Sequence, residues 1–297
     1  MRVTFAASFR ATIDDVNQSA QQLADIQKVV SSGKKIIKPS DDPAGAAAAI
    51  SDHAALGVLD AYTSTANSAP MRLSMLDTTL SDMINQITAA QTAVAGARGS
   101  SAGQSQRDAA AGKLQQISDA LLGDFNAQSH GTYLLSGTSA TTAPFTKTGA
   151  TISAYQGNTQ STTVDVSPQR SLQVSFDGGA IAQGSDATDI FTVLSTVAAA
   201  VTAGDSAGMQ AGLDALDRAL TRATTAQSQV GTNLSTLDDS RLRLTSQQLD
   251  VKTNLSATED ANMAAAITQM SQADTAYRAA LGALGRISTV SLMDYLK

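Results

Sequence analysis

Cysteine and tryptophan are both missing from this chain, and glutamate occurs once, at Glu259, among 26 acidic residues. Without cysteine there is no disulfide framework, no thiol chemistry and no Cys-based zinc site. The two histidines, His53 and His130, have no nucleophile or ligand spacing near them and read as incidental. Aromatic residues make up 4% and charged residues 15% of the sequence, too few for a large jigsaw-packed core or a heavily charged surface. No apolar run approaches the ~18 residues that a membrane-spanning helix needs. The opening MRVTFAASFRATIDD lacks the apolar centre of a secretory signal. The chain is therefore expected either to stay in the cytosol or to leave by a route that needs no cleaved signal. With a net charge of −6 and one small basic cluster, Lys34, Lys35 and Lys38, nucleic acid and membrane are both excluded as partners.

What fills the 297 residues is alanine, serine, threonine and glutamine. That palette suits long helices packed closely side by side. A weakly charged exterior repels copies of itself weakly, which suits a protein that polymerises. The helical pattern is explicit. Phe9, Ile13, Val16, Ala20 and Leu23 step by four and three, and Val30 resumes the series. Gly33 then closes the helix, as glycine does just past a last turn. Asp42 followed by Pro43 signals the next start, an acidic cap with proline at the first helical position. Leu73, Leu76, Leu80, Met83, Ile87, Ala90 and Val94 repeat without a miss, and a further helix is expected over 104–128. From Asp189 helix is expected almost to the end. Its last seam runs through Met263, Ile267, Met270, Asp274, Tyr277, Leu281 and Leu284, with a stutter or bend near Glu259.

Between Gly131 and Gly184 the character changes. Short β-prone runs separated by Gly, Asn, Pro and Asp read as a small antiparallel module inserted between helical arms. The expected fold is mainly α with this β insert. Some 80 helical residues would span on the order of 120 Å, so the N- and C-terminal segments are expected to form an elongated antiparallel helical hairpin. The expected division is terminal assembly helices over 1–40 and 262–297, a helical rod over 41–130 and 187–261, and a β-rich outer domain over 131–186.

Candidate chemistry is thin. Gly33-Lys34 is followed by Lys35 where a phosphate-binding loop requires Ser or Thr, and no glycine stands five residues earlier. Asp41 and Asp42, adjacent before a proline, read as turn and cap residues rather than half a metal site. Arg241 and Asp274 interrupt apolar seams, where a polar residue either fixes register or turns outward at a bend. No catalytic residue, cofactor site or metal site is expected, and the protein does not read as an enzyme.

The stretch SSGKKIIKPSDDPAG, carrying Gly33, Lys34, Pro39, Ser40, Asp41, Asp42 and Pro43, closely resembles the N-terminal signature of the bacterial flagellin superfamily. LSATEDANMAAAITQMSQADTAYRAALGALGRIS resembles its C-terminal helix, and Glu259 and Asp260 fall on that helix's acidic pair. Tyr133-Leu134-Leu135-Ser136-Gly137-Thr138, Tyr155-Gln156-Gly157-Asn158 and the ending with Leu292 and Leu296 resemble the branch that joins hook to filament. The resemblance implies a structural part of the flagellum, exported to the outside unfolded and without a cleaved signal. It implies a ring of copies of the chain that binds the first hook-associated protein and flagellin, and an export chaperone before that. A filament subunit of the flagellin type is the alternative. Phe9, Ile13, Val16, Leu23 and Val30, with Met263, Ile267, Met270, Tyr277, Leu281, Leu284, Leu292 and Leu296, would then form the assembly interface.

Overall fold

The structure is a computed structural model that describes residues 2–99 and 102–295. Among the described residues there are seven helices, and the fold is 72% helical. In order they are α1 (Arg2–Ser32), α2 (Pro43–Ala97), α3 (Gln104–Phe125), α4 (Gly178–Ala182), α5 (Ile190–Ala203), α6 (Ser206–Glu259) and α7 (Met263–Tyr295). Six short strands lie between α3 and α4: β1 (Gln128–Ser129), β2 (Thr132–Tyr133), β3 (Lys147–Thr148), β4 (Thr151–Ile152), β5 (Thr163–Ser167) and β6 (Arg170–Gln173). They pair in sequence order as three separate antiparallel hairpins, β5–β6 with an irregular register between Asp165 and Ser167. The insert is thus β in kind, but among the described residues it makes no continuous sheet.

The long helix expected from Asp189 onward is broken twice. Asp189 caps α5, its carboxylate accepting from the Thr192 N–H at 2.8 Å, and Gly204 ends it with φ +69°. The second break separates α6 from α7 at Asp260–Asn262. There Asn262 takes over as cap, its side-chain oxygen accepting from the Ala265 N–H at 3.2 Å. The periodic seam marks this second break only as the stutter near Glu259, because the apolar steps resume on the far side.

Packing divides the chain into two units, Met1–Leu59 with Ser246–Lys297, and Asp60–Thr245. The second has a conventional core. Each of Leu73, Leu76, Leu80, Met83, Ile87, Ala90 and Val94 on α2 is at most 2% exposed. Leu114, Ile117, Leu121 and Phe125 of α3 are buried, as are Leu194, Val197 and Val201 of α5 and Leu216, Val230 and Leu237 of α6. Most of the chain's few aromatics gather here: the Phe145 ring lies 5.1 Å from Phe125, 5.0 Å from Phe191 and 5.6 Å from Tyr155. Arg72 ties the insert to α2, donating to Val174 O, Thr132 Oγ1 and Tyr133 O, each at 2.9 Å. The first unit is built differently. There α1 packs along α7, and the positions expected to face a partner on α1 are only half-buried.

The neutral surface has a specific construction. Thr78, Thr88 and Thr92 on α2 donate their hydroxyls back to the carbonyl four residues earlier, at 3.0, 2.8 and 2.9 Å. Thr224, Thr225, Ser228, Thr232 and Thr236 do the same along α6. A threonine bonded this way satisfies its hydroxyl inside its own helix.

Candidate functional site

The loop motif and the acidic pair, about 220 residues apart in sequence, meet in the first unit. Gly33 makes the meeting possible. Its φ of +71° is left-handed backbone that glycine adopts without penalty, and its N–H closes α1 on Val29 O at 2.9 Å. The chain leaving the helix then runs antiparallel to the break between α6 and α7, with Lys34 bridging Asp260. Lys35 N–H donates to Glu259 O at 2.6 Å, and Ala261 N–H donates to Gly33 O at 2.8 Å. The break therefore does not waste backbone groups; it exposes them to the loop.

Side chains reinforce the bridge. Glu259 is 8% exposed and accepts from Lys34 Nζ through one carboxylate oxygen. Its other oxygen lies 3.0 Å from His53 Nε2 on α2. Lys35 Nζ donates to Ala257 O at 2.9 Å, which helps satisfy the end of α6. A buried carboxylate without a partner is costly, and an ammonium and an imidazole offset that cost. The Lys34 hydrogen bond holds the Glu259 carboxyl below its usual range, more than offsetting burial, and His53 adds to the same effect. The lone glutamate thus joins three segments: the loop, α2 and the end of α6. The His53 contact was not legible from local sequence, since its partner lies at the far end of the chain.

The rest of the loop is turn and cap. Lys38, Pro39, Ser40 and Asp41 form a turn closed by Asp41 N–H on Lys38 O at 2.9 Å, with proline second in the turn. Asp41 Oδ2 accepts from the N–H groups of Lys38 at 2.8 Å and Ile37 at 3.2 Å. Asp42 caps α2, accepting from Gly45 N–H at 3.0 Å, and Pro43 is the first helical residue. Gly45 is a steric requirement of the loop that the sequence reading did not single out. A Cβ there would meet the Asp42 carboxylate and come within 2.7 Å of Ile36 Cδ1.

The proposed interface positions split into two rows. On α1, Phe9, Ile13, Val16, Leu23 and Val30 are all half-buried. On α7, Met270, Tyr277 and Leu284 are half-buried and share a face with buried Ala266. Met263, Ile267 and Leu281 lie on the neighbouring row and are exposed, Ile267 by 51%. Leu296 and the side chain of Leu292 lie outside the described residues. Asp274 makes a local pair with Arg278 at 3.0 Å, whereas Arg241, besides its pair with Asp238 at 3.6 Å, donates from Nε to Asn67 Oδ1 on α2 at 3.1 Å.

In the second unit the two motifs of the insert touch each other. Tyr155 OH donates to Leu135 O at 2.9 Å, and Asn158 Oδ1 accepts from Thr138 N–H at 2.9 Å. Gly137, with φ +66°, packs against Asn158 too closely for any Cβ. No group of three His, Asp or Glu side chains gathers among the described residues. No described helix is long and apolar enough to cross a membrane.

Comparison with known proteins agrees with this geometry. The N-terminal helical region of bacterial flagellin matches residues 5–140, and its C-terminal helical region matches residues 213–296. Flagellar hook-associated protein 3 of Salmonella typhimurium is 26% identical over 183 residues, covering 61% of this chain and 56% of that protein. The Escherichia coli protein of the same name is 25% identical over 182 residues, with the same coverage. The chain thus spans little more than half the length of these relatives. Among solved structures, a flagellar hook-associated protein from Vibrio parahaemolyticus superposes with a TM-score of 0.68 at 20% identity, over 74% of this chain and 100% of that one. FlgL from Xanthomonas campestris gives 0.62 at 17% identity, over 69% and 99%. Both share the fold.

Proposed function

The chain belongs to the bacterial flagellin family, and from that premise we propose that it is a structural adaptor of the flagellum rather than an enzyme. It assembles as a ring at the junction of hook and filament, binding the first hook-associated protein on one side and flagellin on the other. The relatives named hook-associated protein 3 favour this reading over a bulk filament subunit. The observation that carries an assembly role is the first unit itself. It pairs the two ends of the chain, yet leaves Met263, Ile267 and Leu281 uncovered along α7. On this reading residues 1–40 and 262–297 are the assembly helices, and residues 131–186 are an outer, solvent-facing domain. The chain reaches the outside through the flagellar export route, attended by an export chaperone until then.

Deleting the gene tests the role. Loss of a junction adaptor leaves hooks without filaments in electron micrographs and flagellin monomer in the medium. Loss of a filament subunit removes the filament protein itself, with no spilled flagellin. Intact filaments on every hook would overturn both readings.

A further inference from the structure

We propose that Met71, Met75 and His130 in the second unit form an open, three-ligand site for a soft monovalent cation, Cu(I) or Ag(I). The proposal goes beyond the adaptor role and does not depend on it. Met71 and Met75 are 62% and 44% exposed on α2. Residues four apart share a helix face with Cβ atoms about 5–6 Å apart, so both thioethers project from one patch. That patch and His130 line a single pocket together with Ser74, Thr78 and Ser129, and no charged side chain lines it.

The backbone sets the position of the residue that carries the imidazole. His130 and Gly131 form the two-residue turn of the β1–β2 hairpin, with φ +49° and +76°. Two positive φ values at such a turn match the twist of the strands. A histidine there is tolerated rather than favoured. Arg72, next to Met71 in sequence, clamps the hairpin through Thr132 Oγ1 and Tyr133 O, so hairpin and methionines keep one spacing. Ser129 Oγ lies 3.3 Å from His130 Nδ1, which leaves Nε2 as the ring nitrogen with no hydrogen-bond partner among the described residues.

Two thioethers and an imidazole are a soft, neutral donor set. Such a set selects Cu(I) or Ag(I), whereas Mg(II) and Ca(II) want oxygen and Zn(II) wants thiolate, imidazole or carboxylate. The neighbouring Arg72 guanidinium repels a divalent ion twice as strongly as a monovalent one at the same distance. Binding adds the cation to lone pairs already present, with no redox step and no proton released from a thioether.

The test uses the full-length protein with its methionine methyl groups carbon-13 labelled, titrated with Ag(I) in chloride-free buffer. Two of the eight methionine methyl signals and the His130 ring signals should move to an endpoint of one equivalent, while His53 stays still. The Met71→Leu/Met75→Leu double variant should lose these shifts. His130→Asn, which tolerates the left-handed turn, should weaken binding by at least about tenfold, the scale of losing even an outer partner of a metal. Thermal melts of both variants should match the parent. Equal movement across all eight methionines, or shifts that survive the double variant, would mean adventitious binding and overturn the proposal. So would His130 shifts produced by Zn(II) with the methionine signals unmoved.

Discussion

Among its described residues, the unit made of Met1–Leu59 and Ser246–Lys297 buries only Ala46, Ala49, Ala266 and Glu259. The unit Asp60–Thr245 buries leucines, isoleucines, valines and four phenylalanines. The contrast is one of means. The second unit holds itself together by area: each large side chain taken out of water contributes roughly 1.5–3 kcal/mol. The first has little such area to count. It relies on backbone bridges, an N-cap and one carboxylate held by the Lys34 ammonium and the His53 imidazole. A unit of that kind has specificity without much stability, which is what a part that completes its fold on a partner requires.

Amide exchange should give the widest separation between the two. Amides of Leu76, Leu80 and Met83 are expected to exchange only through global unfolding, and those of Val16 and Leu23 by local opening, orders of magnitude faster. Mild proteolysis should likewise trim both ends of the free chain, leaving a resistant core from about residue 45 to about residue 260. Uniform protection along the chain would erase the contrast.

Truncation in the two interiors comes next. Leu80→Ala should cost about 2–5 kcal/mol in denaturant unfolding, the range for a fully buried leucine. Leu23→Ala, at a half-buried position, should cost less than half as much in the free chain. Equal costs would show that α1 and α7 already form a closed core.

Asp42→Ala should cost about 0.5–2 kcal/mol, the range for a lost N-cap, confined to the start of α2. Exchange of the Gly45 and Ala46 amides should quicken while the Leu80 amide does not change. A turnover that vanished with this variant would contradict a structural role.

The smallest effects are titrations of opposite sign. The Glu259 carboxyl is held below its ordinary value of 4.5, so its stabilisation is complete above that pH and lost as pH falls through the lowered value. In the second unit, burial and the nearby Asp82 push Asp124 up to about 6. Because its folded value lies above the ordinary 3.8, Asp124 weakens the fold progressively from pH 3.8 up to about 6. Asp124→Asn should therefore raise the melting temperature at pH 7 and do little at pH 3.5. Glu259→Gln should lower His53 and Lys34 ordering at pH 7 and remove its pH dependence below 4.5. The same sign of response in both variants would undo the distinction.

Most of the helical frame was written locally. Every member of the apolar series from Leu73 to Val94 lies on the buried face of α2, because period and burial are the same fact, and over that span only Thr79 joins them there from outside the series. Asp42 and Pro43, and Asp189, mark helix starts by side-chain chemistry that acts within three residues. The break at Asp260–Asn262 was legible only as a stutter, since what stabilises it is the loop at Gly33–Lys35, far away in sequence. His53 was misjudged for the same reason. The two rows on α7 could not be separated either: Ile267 and Met270 are equally apolar, and only packing against α1 shows which face is already covered.

The back-bonded threonines bear on how the molecule meets its medium. Along α2 no charged residue occurs between Asp82 and Arg98, and along α6 none between Arg222 and Asp238. Where Thr88, Thr92, Thr232 and Thr236 keep their hydroxyl protons on their own carbonyls, the water beside them meets methyl groups and oxygens that only accept. Dissolved salt screens charges over about 10 Å at 0.1 M and about 3 Å at 1 M, and along these stretches it finds almost none to screen. Whatever these faces touch, the screening that loosens charged contacts in brine should not loosen these.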